Sequence, residues 1–384
     1  MDQPIKMNRL PRILFGPATS GSLGEICAEE GLTRVLVVCD GSLMRAGLFE
    51  EIFSGLEERK VEYQVADRVE PDPPYLLVDE QTASARDFKP EALIGIGGGS
   101  ALDIAKGIAV LTGNEGSIVD FGGVGKVTRK GLPLILCPTT AGTGSEVTNV
   151  AVYSDQRHNK FGVVSPHNIA DFAVLDPMLT LGLPPEQTAL TGLDAMAHAM
   201  ESYVGLFNSF LTEPYALAAM RYVSRYLEPA FENGKDLEAR EYMLRASMLA
   251  GISFTNTQTG GAHACAMALG VATQLPHGMA VTLMLPAVMR FNAPAAKDRY
   301  AEVARILDPE GAPPDNKAAA SHAAAAVEKL ATKLGVHLGL RNYGVADNRV
   351  SEIAELAFKN QRIWINNPRK PSREDVKAII RDAM

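Results

Sequence analysis

Between Arg12 and about Asp176 the chain alternates short apolar, β-rich runs with segments of helical period. RILFG, TRVLVVCD, VEYQVADRV and ALIGIGGGS read as strands. SGSLGEICAEEG, LFEEIFSGLEERK, YLLVDEQTASARDF and ALDIAKGIAVLTGN read as the helices between them. Strands that are apolar without alternation, each separated by a helix, predict parallel pairing with both sheet faces buried. A doubly wound α/β sheet follows, with ligands expected outside the carboxyl ends of its strands. In this reading LPLILCPTTAGTGSEVTNVAVYS continues the sheet as strand, small-residue polar loop and a further strand.

After Leu175, Asp176 and Pro177 the texture changes to long helical segments, predicted at 186–204, 212–227, 236–255, 260–272, 278–292, 295–306, 316–334 and 348–358. The alanine-heavy tract from Ala318 to Val327 belongs to one of them, alanine being the best helix former. The pattern divides the chain into an α/β domain at 1–183 and an all-α domain at 184–384, with no internal repeat. The first helix of the second half is the most informative. Pro184 and Pro185 pre-set its first turn, and Glu186 complements the helix dipole. Leu190, Leu193, Ala197, Met200 and Val204 recur at three- and four-residue steps, an apolar stripe. Asp194 and His198 stand four apart beside it, so both project to one side, one turn apart. A carboxylate and an imidazole so placed can share a cation, or can be no more than a helical polar pair.

Length and composition narrow the class. At 384 residues the chain exceeds one ordinary core, and 46% apolar with 21% charged residues is globular composition. A net charge of −8 argues against nucleic acid and anionic membranes as partners, since both need a cationic footprint. Cys27, Cys39, Cys137 and Cys265 show no CxxC spacing and read as buried thiols of a reducing cytoplasm. No run suggests a signal peptide or a membrane span.

Three loops and two histidines carry the candidate chemistry. Gly97, Gly98, Gly99 and Ser100 follow an apolar strand and open a helix bearing Asp103 and Lys106. Glycines at that joint let backbone amides approach a pyrophosphate, although Ser100 occupies the last glycine place of GxGxxG. Asp40 ends a strand, where a carboxylate suits a ribose diol and repels a 2′-phosphate, or where it caps the turn at Gly41. PTTAGTGSEVT, from Pro138 to Thr148, offers hydroxyls and free amides that suit a dinucleotide or satisfy their own turn. Lys160 adds a further polar contact or a solvated charge. In the helical half, His263 opens one predicted helix and His277 stands where the next begins. With Asp194 and His198 they make four N and O ligands, a set suited to Fe²⁺ or Zn²⁺ with a position open for substrate. Cys265 competes, but two residues from His263 on a helix it points elsewhere. His158, His167, His322 and His337 lack such context.

These motifs together resemble the group III, iron-containing alcohol dehydrogenases. The resemblance runs nearly end to end, through GGGSALDIAK, PTTAGTGSEVT, the LDP…LP hinge, GLDAMAHAMESY, the LPHG turn, MLPAVMRFN and the late NPR at Asn367 to Arg369. It implies a Rossmann-like nucleotide-binding α/β domain and a helical metal-binding domain, the plan shared with dehydroquinate synthase, with the metal in a cleft between them. By position it places the metal on Asp194, His198, His263 and His277. The cofactor falls on Asp40, Asp72, Gly98, Gly99, Ser100, Asp103, Thr139, Thr140, Thr143, Ser145 and Lys160. The implied reaction is metal-assisted hydride transfer between a small primary alcohol and NAD, the ion acting as Lewis acid. The implied assembly is a homodimer or larger homo-oligomer. The alternatives are an NAD- and metal-dependent lyase of the dehydroquinate synthase type and, lower, a metal-stabilised binding protein. One departure matters: Met267 stands where many members carry a second histidine, and a thioether cannot relay a proton as an imidazole does. Asp171, where proline is common, is a second departure without evident chemistry.

Overall fold

The computed structural model describes residues 5–157 and 159–384 and divides into two compact units, Asn8–Leu183 and Pro184–Met384, the latter with the described residues before Asn8. In the first unit the order is β1 (Arg12–Phe15), α1 (Leu23–Glu29), β2 (Arg34–Cys39), α2 (Gly41–Arg45), α3 (Glu50–Glu58), β3 (Glu62–Ala66), α4 (Tyr75–Phe88), β4 (Ala92–Gly97) and α5 (Gly99–Gly113). There follow β5 (Gly123–Val124), β6 (Leu134–Pro138), β7 (Val150–Ser154), β8 (Lys160–Val164) and β9 (Phe172–Leu175).

Six strands form one sheet in the order β1-β9-β6-β4-β2-β3, every pair parallel. Their residues alternate between two cores. Leu36, Val38, Leu93 and Leu136 pack on one face with Val78, Leu102 and Ile108 of α4 and α5. Val35, Val37, Ile94, Ile96 and Ile135 pack on the other with Cys27, Ile52 and Leu56 of α1 and α3. Both faces are covered, which is why the strands lack polar alternation. The chain moves outward from β2 to β3 and then crosses back to β4, so the winding reverses between β2 and β4. Asp40 follows β2 and Gly98 follows β4, so the two loops flank the switch point, where open α/β sheets bind ligands.

The expected continuation of this sheet through VAVYS is corrected by the structure. That segment is β7, which joins β8 antiparallel in a separate three-stranded sheet, β5-β8-β7. Val150 and Val152 are only half-buried, so the strand presents one face to the core and cannot sit between two helical layers. Its inner face lies on α5, where Tyr153 donates to the Asp103 carbonyl at 2.7 Å. Asp171 accepts from the Leu134 amide and pairs with Lys130, a structural role where β6 and β9 begin.

The second unit is helical: α6 (Pro185–Val204), α7 (Glu213–Glu232), α8 (Leu237–Thr257), α9 (Gly261–Thr273), α10 (His277–Asn292), α11 (Lys297–Leu307), α12 (Asn316–Lys333), α13 (Val350–Lys359), α14 (Gln361–Trp364) and α15 (Arg373–Asp382). Helix α7 runs past its expected end through Pro229, whose missing N–H removes one bond of the helical ladder without ending it. Helix α15 was not anticipated, yet its start is a capping box in which Ser372 and Asp375 exchange backbone and side-chain hydrogen bonds. No helix among the described residues is long and apolar enough to cross a membrane.

Candidate metal centre and cofactor loops

In the helical unit the centre is built on α6. Asp194 and His198, one turn apart, are both buried, and His198 Nδ1 lies 3.9 Å from Asp194 Oδ2. His263, in the first turn of α9, brings Nε2 to 3.5 Å from Asp194 Oδ1. His277, opening α10, brings its Nε2 to 3.9 Å from the same oxygen, and at 34% side-chain exposure it is the open wall of the cluster. Ligand atoms of Asp194, His263 and His277 all lie within 4.8 Å of one another. The ring of His198 stacks between Phe254 at 4.3 Å and His263 at 4.5 Å, alongside these three residues. Cys265 is buried outside the cluster, and all four cysteines are free. His322 pairs with Asp308, while His158 lies outside the described residues.

The donor set fits a cation. Asp194 Oδ1 and His263 Nε2 are buried, and neither has a hydrogen-bond partner among the described residues. At 3.5 Å they are too far apart to satisfy each other. Metal bonds of about 2.0–2.2 Å in a tetrahedron would set ligand atoms about 3.3–3.6 Å apart, close to the spacing found. The electrostatics of the cluster couple its acid to its imidazoles. Burial alone would raise the Asp194 pKa, but the imidazoles of His198, His277 and His263 hold it well below the usual carboxylate range. Burial disfavours a charged His263, yet Glu201 on one side and Asp194 on the other push its pKa up to about 10.

Glu201 is the second turn of the same ruler, three residues beyond His198 on α6. Its Oε2 accepts from His263 Nδ1 at 2.6 Å and from the Gly260 amide at 2.8 Å, while Oε1 accepts from the Ala262 amide at 2.6 Å. The Gly261 amide between them donates to Asn367 Oδ1 at 3.1 Å. The first N–H groups of α9, which no helical carbonyl can reach, are thereby satisfied by two side chains. With Nδ1 as donor to Glu201, Nε2 is the ring nitrogen that faces Asp194 and that a cation would take. Asn367 also exchanges two hydrogen bonds with Asn292 of α10, at 2.9 and 2.7 Å, so the late NPR segment ties the helix of His263 to that of His277. The sequence reading missed Phe254 and the bracing role of Asn367. A buried asparagine beside a proline was the available signal.

In the α/β unit the expected cofactor residues separate into two kinds. Gly98, Gly99, Ser100, Thr140 and Thr143 line the rim with partly open surfaces, and buried Thr139 donates its amide to the Gly97 carbonyl. The loops touch: a Cβ on Gly99 would stand 2.8 Å from the Thr143 methyl, so only glycine fits there. Asp40 caps α2, its Oδ1 accepting from the Ser42 and Leu43 amides and the Ser42 hydroxyl, which leaves Oδ2 outside the cap. Asp103 and Ser145 also serve the fold, Asp103 accepting from the Ser145 hydroxyl and the Val152 amide at 2.8 Å each. Lys160, with a side chain only 8% exposed, pairs with Asp72 at 2.6 Å, so these two expected contacts are spent partly on each other.

A doubly wound sheet with a glycine rim at its switch point, in one chain with an acid–imidazole metal cluster, suits a metal-dependent enzyme that uses a dinucleotide. Comparison with known proteins gives the family. Residues 11–177 match the model of the iron-containing alcohol dehydrogenases, and 188–384 match the C-terminal model of the same family. The chain belongs to the iron-containing alcohol dehydrogenase family. It is 38% identical to a sulfoacetaldehyde reductase of Bilophila wadsworthia, over 91% of each chain. It is 32% identical to an NAD-dependent methanol dehydrogenase of Bacillus methanolicus, over 97% of this chain and 98% of that one. A crystal structure of 1,3-propanediol oxidoreductase superposes with a TM-score of 0.95 at 34% identity, covering both chains completely. The protein is an NAD-dependent oxidoreductase of the alcohol–aldehyde couple that works with a metal ion, and the lyase alternative is not favoured.

Proposed function

We propose that the protein interconverts a small primary alcohol and its aldehyde, with Asp194, His198, His263 and His277 holding a divalent ion and the loops at Asp40, Gly98–Ser100 and Thr139–Thr143 taking NAD(H). The observation that carries this reading is the buried pair of unpartnered donors, Asp194 Oδ1 and His263 Nε2, beside the half-open His277. The names of the relatives support the substrate class, since methanol, 1,3-propanediol and sulfoacetaldehyde are short primary alcohols or a short aldehyde.

When bound, the ion supplies Lewis acidity to the alcohol oxygen and the nicotinamide supplies the hydride acceptor. The chain supplies the rest. Glu201 fixes the His263 ring in the tautomer that presents Nε2, and three filled backbone contacts hold that ring's helix in place. Asp40 keeps a carboxylate where a ribose diol is accepted and a 2′-phosphate repelled, which favours NAD over NADP. Oxidation removes a hydride from the carbinol carbon and a proton from its hydroxyl, giving aldehyde, NADH and H⁺. Met267, one turn beyond His263 and half-buried, cannot take that proton, so it leaves through water or the ribose hydroxyls. Four buried free thiols support a reducing cytoplasmic setting, and the family supports a homodimer or larger assembly.

The test is a panel of short primary alcohols with metal-loaded protein and NAD⁺, read as NADH absorbance. NADH should accumulate in proportion to alcohol consumed, and His277→Ala should lose activity together with its metal. Full metal content in that variant would remove His277 from the ligand set, and an inert wild type with every alcohol would end the reading.

A further inference from the structure

Between α8 and α9 the backbone takes a conformation that its residue resists. Gln258 has φ 80° and ψ 166°, a region that glycine enters freely and side chains do not. The strain is held from both sides. The Gln258 amide donates to the Phe254 carbonyl at 2.7 Å, and its carbonyl accepts from Asn366 Nδ2 at 2.8 Å and from the Thr257 hydroxyl at 3.1 Å. Asn366 is itself immobile: it is completely buried, and its Oδ1 and carbonyl accept from the Phe207 and Leu206 amides.

A glycine would satisfy this backbone without strain, so the glutamine is explained by its side chain. That side chain is exposed, and its carboxamide makes no hydrogen bond among the described residues. Its place in the chain is specific. Four residues before it, Phe254 lies against the His198 ring, and two residues after it, the Gly260 amide is held by Glu201. The segment is thus continuous with the frame of the metal centre and rigid by construction. A strained backbone residue in chain continuity with the frame of a binding site is a place where strain serves recognition.

We propose that Gln258 is a specificity-determining residue whose carboxamide hydrogen-bonds a second oxygen on the substrate, selecting primary alcohols or aldehydes that carry another oxygen-bearing group at their far end. The inference rests on the alcohol dehydrogenase reading above and names its substrate class. It involves no change to the chemical step.

The experiment compares 1,3-propanediol with 1-propanol, two primary alcohols that differ by the far hydroxyl, in metal-loaded wild type, Gln258→Leu and Gln258→Gly. In Gln258→Leu the strain stays and the amide is gone. In Gln258→Gly both are gone. The ratio of kcat/KM for the diol over the mono-alcohol should fall about three- to tenfold in both variants, the range for one neutral hydrogen bond. The melting temperature should rise by a few degrees in Gln258→Gly alone. An unchanged ratio in Gln258→Leu, with both alcohols still oxidised, overturns the inference and leaves the enzyme reading intact. A wild type that oxidises neither alcohol overturns both.

Discussion

Glu201 does two jobs with one carboxylate, closing the end of α9 and orienting His263, and both depend on its being a pure acceptor. In Glu201→Gln the amide NH₂ of the new side chain must face either a backbone N–H or His263 Nδ1–H, two donors against one another. The affinity for the ion should drop about 10- to 100-fold, the usual effect of losing such a support. Titration with Zn²⁺ against a competing chelator reads this directly, and unchanged affinity would mean that His263 is positioned without Glu201. The same residue sets the pH behaviour. Because the His263 pKa in the empty site is pushed up to about 10, metal entry near pH 8 must displace a proton. Affinity should therefore rise with pH up to that value, and binding heats should vary with the ionisation enthalpy of the buffer. Heats independent of buffer would show that His263 is neutral before the ion arrives.

At the scale of elements the organising piece is α5, because its first turn is the glycine rim and its middle holds the next loop. Lys106, completely buried, donates to the Ser145 hydroxyl at 2.9 Å, the Thr148 hydroxyl and carbonyl at 3.1 Å each, and the Val150 carbonyl at 2.8 Å. Burial pulls its pKa down to about 8, and Asp103 and Glu146 oppose that shift. Lys106→Met removes the donors and leaves those acceptors unpaired, which should destabilise the α/β unit by about 3–5 kcal/mol. Weaker NADH binding should accompany the loss, seen by fluorescence titration, whereas an unshifted denaturation midpoint would dissolve this clamp. The pattern of the chain made α5 and its glycine turn legible, since a strand, a glycine run and an apolar helix are all local signals. It did not show that β7 leaves the main sheet, because pairing partners are long-range and a short apolar strand reads alike in either sheet. The four histidine and aspartate positions were legible from residue type and spacing. Their arrangement as a triad with His198 stacked alongside depends on how α6, α8 and α9 pack. The bonds that tie Asp103 to Ser145 and Val152 were illegible for the same reason, since their partners lie more than forty residues away along the chain.

For the whole molecule, the chain forms two compact units, and the proposed function assigns the ion to the helical unit and the dinucleotide to the α/β unit. Ligands that bind only the folded form stabilise by mass action, about 2.7 kcal/mol at a hundredfold excess over the dissociation constant. Chelation should lower the melting of the helical unit by that order while NADH fluorescence still reports binding to the α/β unit. Loss of both together would mean that the units do not fold as separate entities. The amide pair of Asn292 and Asn367 has a consequence of its own. It is a buried connection between the helices that carry His277 and His263, and an amide neither gains nor loses a proton across the biological range. Acidity can therefore empty this centre without loosening that one connection. A cell that turned sour would silence the enzyme as one removes a key, with this bolt of the lock left where it was.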